Sequence, residues 1–274
     1  MGAPKVKVLA KAARLLALLA DYPGSSAPVL AQLMGEPRPT VYRLLQDLTA
    51  LDYLEEGSTP GTYRLGLELF RLGSLVALGF DVREKAQPVM DRIHKALEET
   101  VYLIIRRHFE GVCIDRVEGV HIRSMALQLG GSLPLHQGAG PRVLLAYQPR
   151  EFWEDYFAAV KLEPLTPRTP TTKAGIVALL EEVRERGYAI SDEDVTVGIA
   201  SLGAPIFDHT GSVHAALSIG GLRTTVLGDG SAQRAIELVT EGAAEISRRL
   251  GYQDRRNSAQ GKQQETSGPK VTRD

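Results

Sequence analysis

The sequence predicts an α+β chain, and three observations lead there. Before Leu51, apolar residues recur at helical spacing in three separate stretches, each closed by Gly or Pro punctuation. From Val101 onward, β-branched runs of strand length alternate with turns containing Gly and Asp. Among those runs lie stretches of helical length, and an antiparallel sheet with helices packed on it buries both kinds of element. The 274 residues give length enough for two domains.

In chain order, Val8, Ala12, Leu15, Leu16 and Leu19 form one helical face that stops at Asp21-Tyr22-Pro23-Gly24. Ser25 and Ser26 are candidate caps for a second helix over 27–34, closed by Gly35. A third helix starts near Arg38, with Pro39 in its first turn, and turns Val41, Leu44, Leu45, Leu48 and Leu51 inward. A hairpin follows, with strands at 53–55 and 62–65 around Gly57-Ser58-Thr59-Pro60-Gly61. Three helices and a small hairpin make the winged helix-turn-helix order, assigned here to 1–67, and an apolar helix over 68–80 is read as a linker. The second domain spans 81–252. It starts with an amphipathic helix over 81–99. Strands follow at 101–107 and 112–117, joined at Glu110-Gly111, with a third at 122–127. Pro141 opens a helix to Ala146, and Thr172 caps one ending at Gly187. A hairpin over 201–219 turns at Asp208-His209-Thr210-Gly211, and a last helix runs from Ser231 to Leu250. The polar stretch 253–274 is expected to be a disordered tail.

Composition excludes several classes. With 43% hydrophobic and 24% charged residues and a net charge of −1, the chain is neither a polycation nor a membrane protein. The first residues lack a secretory pattern, and the single cysteine, Cys113, permits no internal disulfide, so a cytoplasmic location is expected. Cys113 lies in a strand pattern and reads as core. His136, His209 and His214 lack metal-ligand spacing, and Ser191-Asp192-Glu193-Asp194 reads as a solvated acidic loop, so no metal is expected. No nucleophile elbow, acid/base pair or cofactor fingerprint is present, which argues against an enzyme and against a cofactor.

Charge distribution is more telling than its sum. Up to Arg43 the basic residues are Lys5, Lys7, Lys11, Arg14, Arg38 and Arg43, against Asp21 and Glu36. With its apolar face inward, the third helix presents Arg38, Thr40, Tyr42, Arg43 and Gln46 outward, and a helix of this kind fits the major groove of double-stranded DNA. The arginines suit guanine edges or phosphate, the hydroxyls suit phosphate, and Arg64 in the hairpin could reach the adjacent backbone. The same pattern would also suit a small helical bundle with a solvated polar face.

A resemblance separates these readings. The segment Leu30-Ala31-Gln32-Leu33-Met34-Gly35 through Thr40-Val41-Tyr42-Arg43-Leu44-Leu45, followed by Tyr63-Arg64-Leu65-Gly66, resembles the DNA-binding domain of the IclR family of bacterial regulators. Three further blocks follow in the family's order. They are Leu133-Pro134-Leu135-His136, then Arg184 to Asp194, and Ala204-Pro205-Ile206-Phe207-Asp208 through Ala215-Ala216-Leu217-Ser218-Ile219. The resemblance implies a winged helix, a linker helix and a GAF-like effector-binding domain. It implies homodimers, often paired into tetramers, on a palindromic operator, with a small-molecule effector. Repression of a neighbouring catabolic operon, relieved by ligand, is the commoner behaviour. Activation, or an enzyme or interaction module on the α+β domain, are the alternatives.

Gly138-Ala139-Gly140 precedes the helix at Pro141, and such glycines serve either a tight loop or close approach of a ligand to the first helical amides. Carried over from the resemblance, the effector pocket comprises Gly138, Ala139, Asp192, Ser201, Ser218 and Gly220. Family members that bind small carboxylates tend to carry cysteine where Ser201 stands and serine where Gly220 stands. That departure opens space and points to an organic or aromatic acid bulkier than the two- and three-carbon acids.

Overall fold

The computed structural model divides the chain into two compact units, Met1–Phe80 and Asp81–Asp274, and describes residues 7–78, 81–120 and 127–253. The expected strand at 122–127 and the expected tail beyond 253 lie almost wholly outside the described residues.

The first unit runs α1 (Lys7–Asp21), β1 (Ser25–Ser26), α2 (Ala27–Met34), α3 (Arg38–Ala50), β2 (Leu54–Glu56), β3 (Thr62–Leu65) and α4 (Leu67–Leu78). Leu15 and Leu19 of α1, Leu30 of α2, Val41 and Leu45 of α3 and Leu54 of β2 form its core. Gly35 adopts the left-handed conformation (φ 64°) that ends α2. Its N–H donates to the Gln32 carbonyl at 3.2 Å and that of Glu36 to Ala31 at 3.1 Å, so the chain turns sharply into α3. Two details differ from expectation. Ser26 occupies the cap position of α2 without a side-chain cap bond. Ser25 and Ser26 instead pair with Tyr63 and Thr62, giving a three-stranded sheet of order β1-β3-β2. Leu51, expected inward, is 60% exposed because α3 ends at Ala50 and the helical period no longer places it.

The second unit runs α5 (Asp81–Leu97), β4 (Thr100–Arg107), β5 (Glu110–Val117), β6 (Ser132–Pro134), α6 (Ala139–Ala146), α7 (Arg150–Ala159), α8 (Lys173–Arg186), β7 (Ala189–Asp192), β8 (Ile199–Phe207), β9 (Val213–Leu222), α9 (Arg223–Val226) and α10 (Ser231–Arg249). Its antiparallel sheet has the order β6-β5-β4-β9-β8-β7. Strand alternation sends odd and even positions of β9 to opposite faces. Leu217 faces α5 and α10, where Gly242 lets Ile93, Val89 and Leu217 close up. Ala216 faces a core shared with Tyr102, Ile104, Leu180 and Trp153.

The β4–β5 turn falls at His108-Phe109, with His108 at φ 54°, and not at Glu110-Gly111. Gly111 lies inside β5, where an added Cβ would stand 2.9 Å from Pro141, so it permits close approach of α6 instead of making the turn. Helix α6 starts at Ala139, ahead of Pro141, because Gly138 at φ 74° takes the cap position. The Thr172 hydroxyl accepts the Gly175 N–H at 3.2 Å, and Gly187 closes α8 at φ 82°. Among the described residues no helix is long and apolar enough to cross a membrane.

Candidate functional site

The first candidate surface is α3. Its buried residues are Val41, Leu44, Leu45 and Leu48, which leaves Arg38, Tyr42, Arg43 and Gln46 exposed and Thr40 half-buried. Tyr42 keeps 46% of its surface, so it is not a packing residue. The basic residues of this region divide into two groups. Lys11 pairs with Glu36 at 2.7 Å and Arg14 donates to the Leu33 carbonyl at 3.2 Å, so both brace α1 against the end of α2. Arg38 and Arg43 have no intramolecular partner among the described residues, leaving their guanidinium donors available to an outside acceptor. Arg64 on β3 pairs with Glu55 at 2.9 Å. A phosphate there would compete with that exposed pair, which is worth ~1 kcal/mol or less.

The second candidate is a cavity of about 60 Å³ between the first turn of α6 and the sheet. Its polar rim is built from Gly138, Ala139, Ser201, Ser218 and Gly220, and its apolar wall from Tyr102, Ile104, Leu127, Leu133 and Pro141. Register explains the convergence. Ser201 pairs with Gly220, Gly203 with Ser218, and Ser218 with Tyr102, and directly opposed residues share a face of the sheet. Gly203 brings α6 down: a Cβ there would lie 2.9 Å from the Gly140 nitrogen and 3.0 Å from the Ala139 carbonyl carbon. The Ala139 N–H donates to Ser201 Oγ at 3.2 Å, and Ser218 Oγ donates to the Leu202 carbonyl at 2.7 Å. Helix-start amides and two hydroxyls therefore meet an apolar wall, with no cationic side chain among the lining residues. This is chemistry for a carboxylate carried on an apolar body. A larger open cleft of about 990 Å³, between Arg184 and Arg186 at the end of α8 and Arg248 on α10, contains none of the expected effector residues.

Behind α6 lies a buried polar network. Arg142, 2% exposed, donates to the Ile190 carbonyl at 2.7 Å and the His136 carbonyl at 3.3 Å, and pairs with Asp194, which also accepts from Ser191 Oγ. The Tyr156 hydroxyl accepts the His136 N–H at 3.1 Å and shares a hydrogen bond with Nδ1 of that ring at 2.5 Å. Burial, reinforced by Arg142 and opposed by Asp194, lowers the His136 pKa to about 4, so its ring is neutral. Burial also raises the Cys113 thiol to about 12, which suits the core position expected for it.

Five of the six expected effector residues line the cavity, and Asp192 does not. It pairs with Ala200, one position out of phase with the Ser191–Ser201 pair, so strand alternation turns it to the opposite face. There it receives Arg223 Nε at 2.6 Å and Arg168 Nη1 at 2.7 Å. The Arg223 hydrogen bond, with smaller help from Arg168, holds its carboxyl below the ordinary value. The supposed solvated acidic loop is thus half internal, since Ser191 and Asp194 are buried. The wall residues Tyr102 and Ile104 were missed, although their alternation in the run from Val101 to Arg107 already places them on one face. Val195 and Thr196, which also line the cavity, carry no such pattern because they sit in a loop.

Residues 8–58 match the IclR helix-turn-helix domain, and residues 75–248 match the family described as the bacterial transcriptional regulator IclR C-terminal domain. The chain belongs to the IclR family. It is a DNA-binding transcriptional regulator with a winged helix-turn-helix and a C-terminal effector-binding domain. This IclR-family chain is 31% identical over 248 residues to the HTH-type transcriptional regulator KipR of Bacillus subtilis, covering 90% of this chain and 98% of KipR. It is 32% identical to the HTH-type transcriptional repressor AllR of Escherichia coli, covering 83% of each chain. A solved IclR homolog from Microbacterium hydrocarbonoxydans, complexed with 4-hydroxybenzoate, superposes with a TM-score of 0.76 at 26% identity, covering 89% of this chain and 98% of the homolog.

Proposed function

We propose that this regulator is a cytoplasmic repressor that binds a palindromic operator as a homodimer or dimer of dimers and is released from it by a small aromatic acid. In this reading 1–67 binds DNA, 68–80 links, and 81–252 is a GAF-like sensor whose only role is binding. Arg38, Thr40, Tyr42, Arg43 and Gln46 on α3 face the major groove, with Arg64 on the flanking backbone. Freedom of Arg38 and Arg43 from internal partners supports that placement. The observation that carries the effector class is the cavity of Gly138, Ala139, Ser201, Ser218 and Gly220 facing Tyr102 and Ile104. The amides and hydroxyls would hold the carboxylate, and the apolar wall would hold the ring. The naming of AllR as a repressor and the 4-hydroxybenzoate bound to a homolog point the same way.

Binding of acid changes operator occupancy only by its differential affinity for the two states. The test is fluorescence anisotropy of the gene's own upstream DNA, titrated with 4-hydroxybenzoate, other aromatic acids and two- or three-carbon acids. Aromatic acids are expected to lower occupancy. Occupancy unmoved by every acid would overturn the sensing role. Binding undiminished in a Ser218→Ala, Gly138→Val double variant would overturn the cavity assignment. No sequence preference at moderate salt would overturn the operator role.

A further inference from the structure

We propose that Asp192, Arg168 and Arg223 form a latch on the loop roofing the cavity, so that Asp192 governs effector access by positioning that loop and not by touching the effector. The inference rests on the cavity being the effector site, and it begins from a mismatch of size. A dry cavity that binds benzene in another protein measures ~150 Å³, whereas this one holds about 60 Å³. An aromatic ring is therefore fully enclosed only if part of the wall moves. Most of the wall is sheet or helix and packed on both sides, but Val195 and Thr196 belong to the loop between β7 and β8.

That loop is held in two layers. The inner layer is buried: Asp194 pairs with Arg142, and the carbonyls of Glu193 and Asp194 accept Thr166 Oγ1 at 2.7 Å and Thr169 Oγ1 at 2.6 Å. It pins the start of the loop. The outer layer faces solvent: besides its one contact to Asp192, Arg168 lies 3.2 Å from Glu193 Oε2, and Arg223 adds an Nη2 contact at 3.2 Å to Asp192 Oδ2. The Arg168 and Arg223 side chains are 53% and 43% exposed, so water and salt can compete for them. The far end of the loop meets this layer through Glu193, whose Oε1 accepts the Gly198 N–H at 2.7 Å, while backbone bonds from Arg223 N–H to the Gly198 carbonyl at 2.8 Å and from Glu193 N–H to the Ile199 carbonyl at 2.9 Å tie it separately. Glu193 itself sits at φ 62°, a conformation a non-glycine residue keeps only when its surroundings hold it there. Releasing the outer layer frees Val195 and Thr196 to swing outward while the inner anchor remains.

The test needs no effector. Backbone hydrogen exchange at Gly198 and Ile199, whose N–H groups donate to Glu193 Oε1 and to the Thr196 carbonyl, is compared in the free full-length protein, in Asp192→Asn and in Arg168→Gln, with Trp153 fluorescence reporting that the unit stays folded. Both variants are expected to exchange about five- to tenfold faster at these amides, the scale of losing one or two exposed ion pairs. Wild type should approach them as salt rises from about 50 mM to about 500 mM. Exchange equal to wild type in either folded variant overturns the latch. So does faster exchange over the whole unit, which would mean general destabilisation. The cavity's role as effector site is decided separately, by acid binding to the Ser218 and Gly138 variants, so the two ideas can fail independently.

Discussion

Replacing Gly203 with alanine should move α6 off the sheet. The added Cβ would meet the Gly140 nitrogen at 2.9 Å, the Ala139 carbonyl carbon at 3.0 Å and the Ala139 oxygen at 3.1 Å. All three are backbone atoms of a helix start, so no side chain can rotate aside. Relief requires the first turn to rise by several tenths of an ångström, and overpacking of this kind costs ~1–3 kcal/mol. The same rise stretches the 3.2 Å bond from Ala139 N–H to Ser201 Oγ beyond a useful length, adding ~1 kcal/mol. A total loss of ~2–4 kcal/mol is expected. Trp153 is the only tryptophan and is buried in the second unit, so urea unfolding followed by its fluorescence reads that unit directly. Acid affinity should fall at least about tenfold, since the amides no longer point where the hydroxyls do. Gly140→Ala is the comparison: its Cβ meets the Ile104 Cδ1 at 2.4 Å and the Ser218 Cβ at 3.2 Å, side-chain atoms and not helix backbone, so less stability is lost. An unfolding midpoint and acid affinity equal to wild type in Gly203→Ala would refute the close-packing account of the site.

Three further outcomes are expected. Arg43→Ala should weaken operator binding by ~1–3 kcal/mol in a gel-shift series, while calorimetric acid titration stays intact; equal loss of both would indicate misfolding instead. Ser218→Ala removes the 2.7 Å bond to the Leu202 carbonyl and should cost ~1 kcal/mol in urea unfolding as well as acid affinity. The neutral ring of His136, lowered to about 4 from an unfolded value near 6.5, makes the second unit lose stability as pH falls from 6.5 towards 4. The unfolded chain takes up that proton first, so the loss reaches ~3 kcal/mol by pH 4. Unfolding midpoints measured between pH 7 and 4 should slope accordingly, and His136→Asn should flatten the slope.

Much of the fold could be read from spacing. Leu15, Leu30 and Leu45 fall on helical faces whose period is local, and Gly35 and Gly187 end helices for a reason intrinsic to glycine. What escaped depends on distant partners. Ser25 and Ser26 become a strand only because β3 lies beside them. The short β6, β7 and α9 carry too few residues for a period to register, and α7, though ten residues long, buries only Trp153 and Tyr156. The glycine loop at Gly138 and the hydroxyls of Ser201 and Ser218 came from likeness to a family, and the register brings them together. Asp192 came from the same likeness, but the parity of β7 and the nearness of Arg168 and Arg223, from two other segments, lead it elsewhere.

That parity has an evolutionary reading. In β7, Ser191 and Asp192 are neighbours that serve opposite faces of one edge strand. A slip of a single residue in β7, produced by one deletion before it and one insertion in the loop after it, would move Asp192 into the place of Ser191 and Glu193 into the place of Asp192. The Asp192 carboxylate would then stand opposite Ser201, and a glutamate would meet the arginines. A pocket suited to anions would become one that prefers a cationic or hydroxylated ligand, while the outer fastening would pass to Glu193. Ligand preference in such a sheet can therefore change by the length of a loop, with the lining residues themselves left untouched.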